Sequence, residues 1–158
     1  DPDLQKNILA AHVSTGLPAS RLEIEITEST LMEDAAHALR VMQSLRDQGI
    51  HIALDDFGTG YSSLQYLRQL PLTKLKIDRA FVRDMPASKA DQAIVRSVIT
   101  LAKALDMRVT AEGVETGDQH AALAELGCHI IQGFYFSGPV PFEGIVGLLQ
   151  SFSTGVVP

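Results

Sequence analysis

The sequence predicts an α/β fold, five parallel strands rolled into part of a (β/α) barrel. Short aliphatic strand patterns alternate with amphipathic helix patterns, an order that builds parallel strands joined by right-handed helical crossovers. Each strand carries a polar residue near its C-terminal end, opposite its clearest aliphatic side chains. No linker, low-complexity stretch or internal repeat interrupts the 158 residues, so 1–152 form one domain with a short tail, 153–158.

The bulk properties narrow the function classes. A 46% hydrophobic and 20% charged composition suits a folded globular domain rather than a disordered one. The formal charge of −6 argues against a non-specific grip on a nucleic-acid backbone, which needs clustered Lys and Arg. A phosphate ligand therefore needs metal ions to screen it. One cysteine, Cys128, cannot form an intrachain disulfide, which favours a reducing, cytoplasmic setting. No stretch has the length of a membrane span or the pattern of a signal peptide.

Taken in order, Leu4, Ile8, Leu9 and Val13 have helical spacing, ended by Gly16 and Pro18. Leu22 to Thr27 alternates as a strand, with Glu23, Glu25 and Thr27 on one face. Thr30 with Glu33 reads as a capping box opening a helix whose stripe runs Leu31, Ala35, Ala38, Met42 and Leu45. A buried strand, Ile52-Ala53-Leu54-Asp55-Asp56, then meets the Gly58 and Gly60 turn. A short helical pattern through Leu64 and Leu67 stops at Pro71, and Lys74 to Asp78 alternates as the third strand. Ser88 and Asp91 begin a helix striped by Ile94, Val95, Val98, Ala102 and Leu105. Val109 to Glu112 is the fourth strand. Thr116 and Gln119 cap the next helix, Ile130 to Phe136 is the fifth strand, and a terminal helix surrounds Ile145 to Phe152.

The chemistry gathers at one end. In a barrel of parallel strands, alternation sends Glu25, Asp55, Lys76, Glu112 and Gln132 toward the axis at the C-terminal rim, where such barrels keep their active sites. Adjacent aspartates at a strand end suit a hard divalent cation, and three carboxylates plus Asp56 offer oxygen ligands for one or two ions. Lys76 among them is a fixed positive charge for phosphate or water. Ordinary alternatives exist for each: the aspartates as turn caps, Glu112 as the ion-pair partner of Lys76, Gln132 as a loop anchor, Glu28 and Glu115 as solvated loop charge. The histidines, His12, His37, His51, His120 and His129, have no zinc-ligand spacing. No phosphate loop, nucleophile elbow or Cys-x-x-Cys pair occurs.

Five ordered segments carry a resemblance: Glu25-Ile26-Thr27-Glu28-Ser29, Asp55-Asp56-Phe57-Gly58-Thr59-Gly60, Lys76-Ile77-Asp78, Ala111-Glu112-Gly113-Val114-Glu115 and Gln132-Gly133-Phe134. Together they strongly resemble the EAL-domain phosphodiesterases, which hydrolyse cyclic di-GMP to linear pGpG. The resemblance implies a TIM-type (β/α) barrel. It implies metal binding by Glu25, Asp55, Asp56 and Glu112, with Mg2+ or Mn2+ activating a water, and catalytic roles for Lys76 and Glu112. It further implies substrate- or loop-orienting roles for Glu28, Asp78, Glu115 and Gln132.

The Glu-Ala-Leu segment that names the family is absent from these residues, as is the following strand with its metal-binding asparagine. Gly138 stands where the family commonly has a basic residue. The expectation is therefore a barrel incomplete at the N-terminus, carrying most of an active site. Its partners are cyclic di-GMP and a second copy in a homodimer, with no nucleic-acid polymer and no membrane segment. The parent protein can still be membrane-anchored. The alternative is an inactive cyclic di-GMP-binding or regulatory module. A proton-abstracting barrel enzyme fits the carboxylates, Mg2+ and lysine but not the five segments.

Overall fold

The computed structural model describes residues 4–58, 67–128 and 130–153. After helix α1 (Leu4–Thr15) and a single 3-10 turn come strand β1 (Glu23–Thr27), helices α2 (Glu28–Glu33) and α3 (Ala35–Asp47), and β2 (His51–Phe57). Strand β3 (Lys74–Ile77) leads into α4 (Arg79–Arg83) and α5 (Lys89–Ala104). Then follow β4 (Arg108–Ala111), α6 (Gly117–Glu125), β5 (Ile130–Ile131) and α7 (Phe142–Ser153).

The five strands lie in the order β1-β2-β3-β4-β5, and every neighbouring pair is parallel. Each strand thus sits beside its predecessor and the chain winds in one direction only. This is the winding of a barrel, and the sheet is a partial one. A doubly wound sheet would reverse its order.

One face of the sheet is aliphatic and packs on helices. Ile52 and Leu54 of β2, Leu75 and Ile77 of β3 are fully buried, together with Met42 and Leu45 of α3 and Val95, Val98, Ile99 and Ala102 of α5. Each such side chain contributes roughly 1.5–3 kcal/mol by leaving water. The expected stripes on α3 and α5 therefore face the sheet, except that Ile94 is exposed and Ile99 takes the buried position instead. The caps expected at Ser88 and Thr116 are formed: Ser88 accepts from Asp91 N, and Thr116 and Gln119 make a reciprocal capping box.

Three expectations need correction. The single helix from Thr30 is two, because Asp34 (φ −150°) breaks the run and its side chain accepts from His37 N to cap α3. The Thr30–Glu33 capping box is therefore not the start of that helix. Strand β3 ends at Ile77, since Asp78 accepts from Ala80 N at 2.7 Å and caps α4. Strand β5 ends at Ile131 rather than Phe136: a Cβ on Gly133 would lie 2.1 Å from Val114 O, and Tyr135 N donates to that same carbonyl, so the chain turns over the β4–α6 loop. The helical pattern through Leu64 and the position of His129 lie outside the described residues. Among the described residues no helix is long and apolar enough to cross a membrane.

Candidate active site

The other face of the sheet carries the charged side chains, in two layers. Near the N-terminal ends of the strands, Glu23 pairs with Lys74 at 2.5 Å and with Arg108 at 3.6 Å. Alternation put Glu23 and Lys74 on this face, but nothing in the sequence singled out the trio. Thr110, two residues further along β4 and in register with Lys76, is buried.

The second layer is the expected site. Lys76 is only 4% exposed, and its Nζ lies 2.7 Å from Glu25 Oε2, 3.1 Å from Asp55 Oδ1 and 2.7 Å from Glu112 Oε1. Three strands and the residue just beyond a fourth thus meet at one ammonium. Glu112 is held there because its backbone N–H continues the ladder to Ile77 O at 3.1 Å. Burial works to lower the Lys76 pKa, but the hydrogen bonds with Glu112, Glu25 and Asp55 outweigh it and hold the ammonium above its ordinary range. Lys76 is a permanent cation.

Asp56 departs from its neighbour. It adopts φ 54°, a left-handed conformation that turns the strand end. Its pKa is raised, first by burial, then by a side-chain hydrogen bond with Asp78 and by the charges of Asp55 and Asp78; Lys76 pulls it the other way. The Asp56–Asp78 pair opens onto a cavity of about 620 Å³ lined also by Arg79, Glu112, Gly113, Glu115, Gln132, Gly133 and Phe134.

Most of the residues expected at the site therefore converge. Glu25, Asp55 and Glu112 meet at Lys76, while Asp56, Asp78, Glu112, Glu115 and Gln132 share the adjoining cavity. Gln132 also borders a second cavity, of about 600 Å³, with Glu25 and Lys76, so it stands between the two. Glu28 opens α2 and is 4% exposed, too buried for solvated loop charge. The loop it was expected to hold continues beyond Gly58, outside the described residues. His120 stacks on Tyr135 with ring centroids 5.5 Å apart, away from the carboxylates.

The donor chemistry fits a hard divalent cation, because the set is all oxygen. Among the described residues, however, no three such side chains are gathered to hold an ion. Lys76 takes the central place. Mg2+ typically needs only one or two carboxylates beside substrate phosphate oxygens, and Asp55 and Glu112, which meet at the same ammonium, are enough in number.

A singly wound parallel sheet with a lysine-centred carboxylate cluster at its C-terminal rim defines a barrel-type protein whose acidic mouth suits a hard cation, and an anionic ligand only together with one. The chain belongs to the EAL domain family, whose model matches residues 1–139. It is 44% identical over 143 residues to the cyclic di-GMP phosphodiesterase NbdA of Pseudomonas aeruginosa, covering 90% of this chain and 18% of that protein. The solved structure of PaMucR phosphodiesterase in complex with c-di-GMP superposes with a TM-score of 0.86 at 42% identity, covering 90% of this chain and 58% of the other. The manganese and cyclic di-GMP complex of Klebsiella pneumoniae BlrP1 at pH 6 gives 0.82 at 37%, covering 88% of this chain and 35% of the other. The chain thus spans under a fifth of NbdA's length and just over half of the PaMucR chain.

Proposed function

We propose that this chain carries most of the active site of a metal-dependent phosphodiesterase that hydrolyses cyclic di-GMP to linear pGpG. The observation that carries the reading is the convergence of Glu25, Asp55 and Glu112 on the buried Lys76 at the C-terminal rim. A protein kept only for folding gains little from burying that much charge, since apolar side chains of similar volume serve a core as well or better. The metal-bearing and cyclic di-GMP-bearing relatives support the same reading.

In this mechanism Asp55, Asp56, Glu112 and Glu25 would hold Mg2+ or Mn2+. When bound, the cation supplies charge neutralisation at the phosphoryl group and an acidified water. Lys76, a fixed cation, faces the negative charge that grows on phosphate as water attacks. Glu112 accepts the water's proton, a new P–O bond forms, and the bond from phosphorus to the ribose 3′ oxygen breaks. That oxygen takes a proton from solvent water as it leaves while Glu112 returns its proton to solvent, and the opened ring is linear pGpG. Asp78 orients Asp56, while Gln132 and Glu115 contact substrate from the neighbouring cavity. Glu28 supports the loop after β2.

The reading extends to a cytoplasmic homodimer formed by residues 1–152. Exposed Phe142, Val146 and Leu149 on α7 support self-association. Sedimentation of a compact monomer at every concentration would remove the dimer.

One observation favours a second reading, cyclic di-GMP binding without turnover: the carboxylates engage Lys76, and among the described residues no three gather for an ion. The deciding experiment follows conversion of cyclic di-GMP to pGpG in Mg2+ or Mn2+, by this chain and by a version extended upstream. Turnover in either supports the enzyme. Binding without turnover in both establishes the second reading.

A further inference from the structure

Gln119 is 5% exposed and uses its side-chain amide on both sides. Its Oε1 accepts from Thr116 N at 3.0 Å, which the capping box of α6 explains, and from Glu115 N one residue earlier at 2.7 Å. Its Nε2 donates to Arg83 O at 3.1 Å. No capping box needs that third bond. It satisfies a carbonyl in the last turn of α4, which helix geometry leaves without a partner.

Helix α4 begins at the Asp78 cap, and the loop that Gln119 holds begins at Glu112. The two segments also touch at their other ends, where a Cβ on Gly113 would stand 2.4 Å from Arg79 Cβ. Two contacts therefore tie α4 to the β4–α6 loop: the fit of Gly113 against Arg79, and the Gln119 bond to Arg83.

We propose that Gln119 is a positioning residue, a latch that fixes the Asp78 side of the mouth against the Glu112 side through its bond to Arg83 O. Its side-chain amide bonds only backbone atoms, not the carboxylates. Its action is to hold Asp78, and with it Asp56, at a set distance from Glu112. The catalytic part of the inference rests on the phosphodiesterase reading.

Gln119→Glu isolates the third bond. A carboxylate keeps both acceptor bonds, and a negative charge in the first turn of a helix is favourable. It has no proton for Arg83 O and faces that carbonyl with like charge. Gln119→Leu removes all three bonds. The readouts are amide hydrogen exchange, and kcat and KM for cyclic di-GMP, on whichever of this chain or its upstream-extended version turns over.

The expected result for Gln119→Glu is faster exchange across 79–83 with α6 still protected. It includes a kcat lower by roughly tenfold and a KM within about twofold, as displacement of a catalytic group demands. Gln119→Leu should add loss of protection at Glu115 and Thr116. Unchanged exchange across 79–83 in Gln119→Glu overturns the latch. Faster exchange with kcat within twofold of an active wild type overturns its positioning role. Silence of the wild-type protein overturns the phosphodiesterase reading instead, and exchange alone then decides whether the latch exists.

Discussion

Lys76 Nζ lies 2.7 Å from Glu112 Oε1, and both side chains are at least four-fifths shielded from solvent. A cation so placed does two jobs, and Lys76→Met separates them. Removing it leaves the largely shielded Glu112 and Asp55 with uncompensated like charge, which costs about 3 kcal/mol, while the half-exposed Glu25 adds little. The sign with pH is fixed by the raised pKa. An amine favoured in the folded state contributes fully below its unfolded value and loses that contribution only as pH rises through the folded one. The gap between wild type and variant should therefore be flat from about pH 6 to pH 9 and narrow only in stronger base. Denaturant titrations at several pH values test this, and a gap that narrows between about pH 6 and pH 9 would refute it. Turnover should drop by roughly 10²–10³-fold, the usual effect of losing one electrostatic stabiliser.

Asp56 gives the opposite sign. Its pKa is raised above 3.8 by burial and by Asp78 and Asp55. An acid held above its unfolded value costs stability wherever it is ionised, and the cost disappears as pH falls toward the unfolded value. Asparagine also tolerates the left-handed φ of 54° and can still hydrogen-bond Asp78. Asp56→Asn should therefore raise Tm near pH 7, with a smaller gain near pH 4. A lower Tm at neutral pH would show that Asp56 is worth more ionised than neutral. Turnover should fall, because an amide is a weak ligand for a hard cation.

Much of this arrangement is legible along the chain, because a period of two is a local property. Glu25, Asp55, Lys76 and Glu112 reach one point simply by sharing a face on successive strands. The caps at Ser88 and Thr116 are local too. What escapes the sequence is decided at a distance. Strand β5 ends early because the Gly133 backbone rests on Val114, a contact that no pattern in Ile130–Phe136 announces. Gln119 reads as half of a capping box, while its bond to Arg83 O depends on where α4 falls. The break at Asp34 is a competition between two plausible caps a few residues apart, and propensity does not rank them.

Gly133→Ala tests the close approach directly. A methyl group would stand 2.1 Å from Val114 O and 2.3 Å from Val114 N, both backbone atoms that cannot rotate away. The two loops must separate, breaking the bonds from Val114 N to Gln132 O and from Tyr135 N to Val114 O. The expected cost is about 3 kcal/mol, at the upper end for overpacking. Equilibrium unfolding gives the number, and a loss under about 1 kcal/mol would mean that the loop relaxes freely.

Metal removal separates catalysis from folding. Where a metal ion organises a fold, chelation unfolds the protein, because binding and folding share one free energy. Here Lys76 already pairs with Glu25, Asp55 and Glu112 from within the chain and offsets part of their charge. The carboxylates have a counter-charge whether or not a cation is present. Chelation of an active preparation should therefore abolish turnover and shift Tm by only a few degrees, while added Mg2+ or Mn2+ restores the rate. In Lys76→Met the dependence should reverse in kind: with the internal cation gone, the divalent ion becomes the main neutraliser, and chelation should lower Tm by clearly more than in wild type. Parallel thermal melts of the two proteins, with and without chelator, measure the difference. Equal shifts would show that Lys76 does not stand in for the metal.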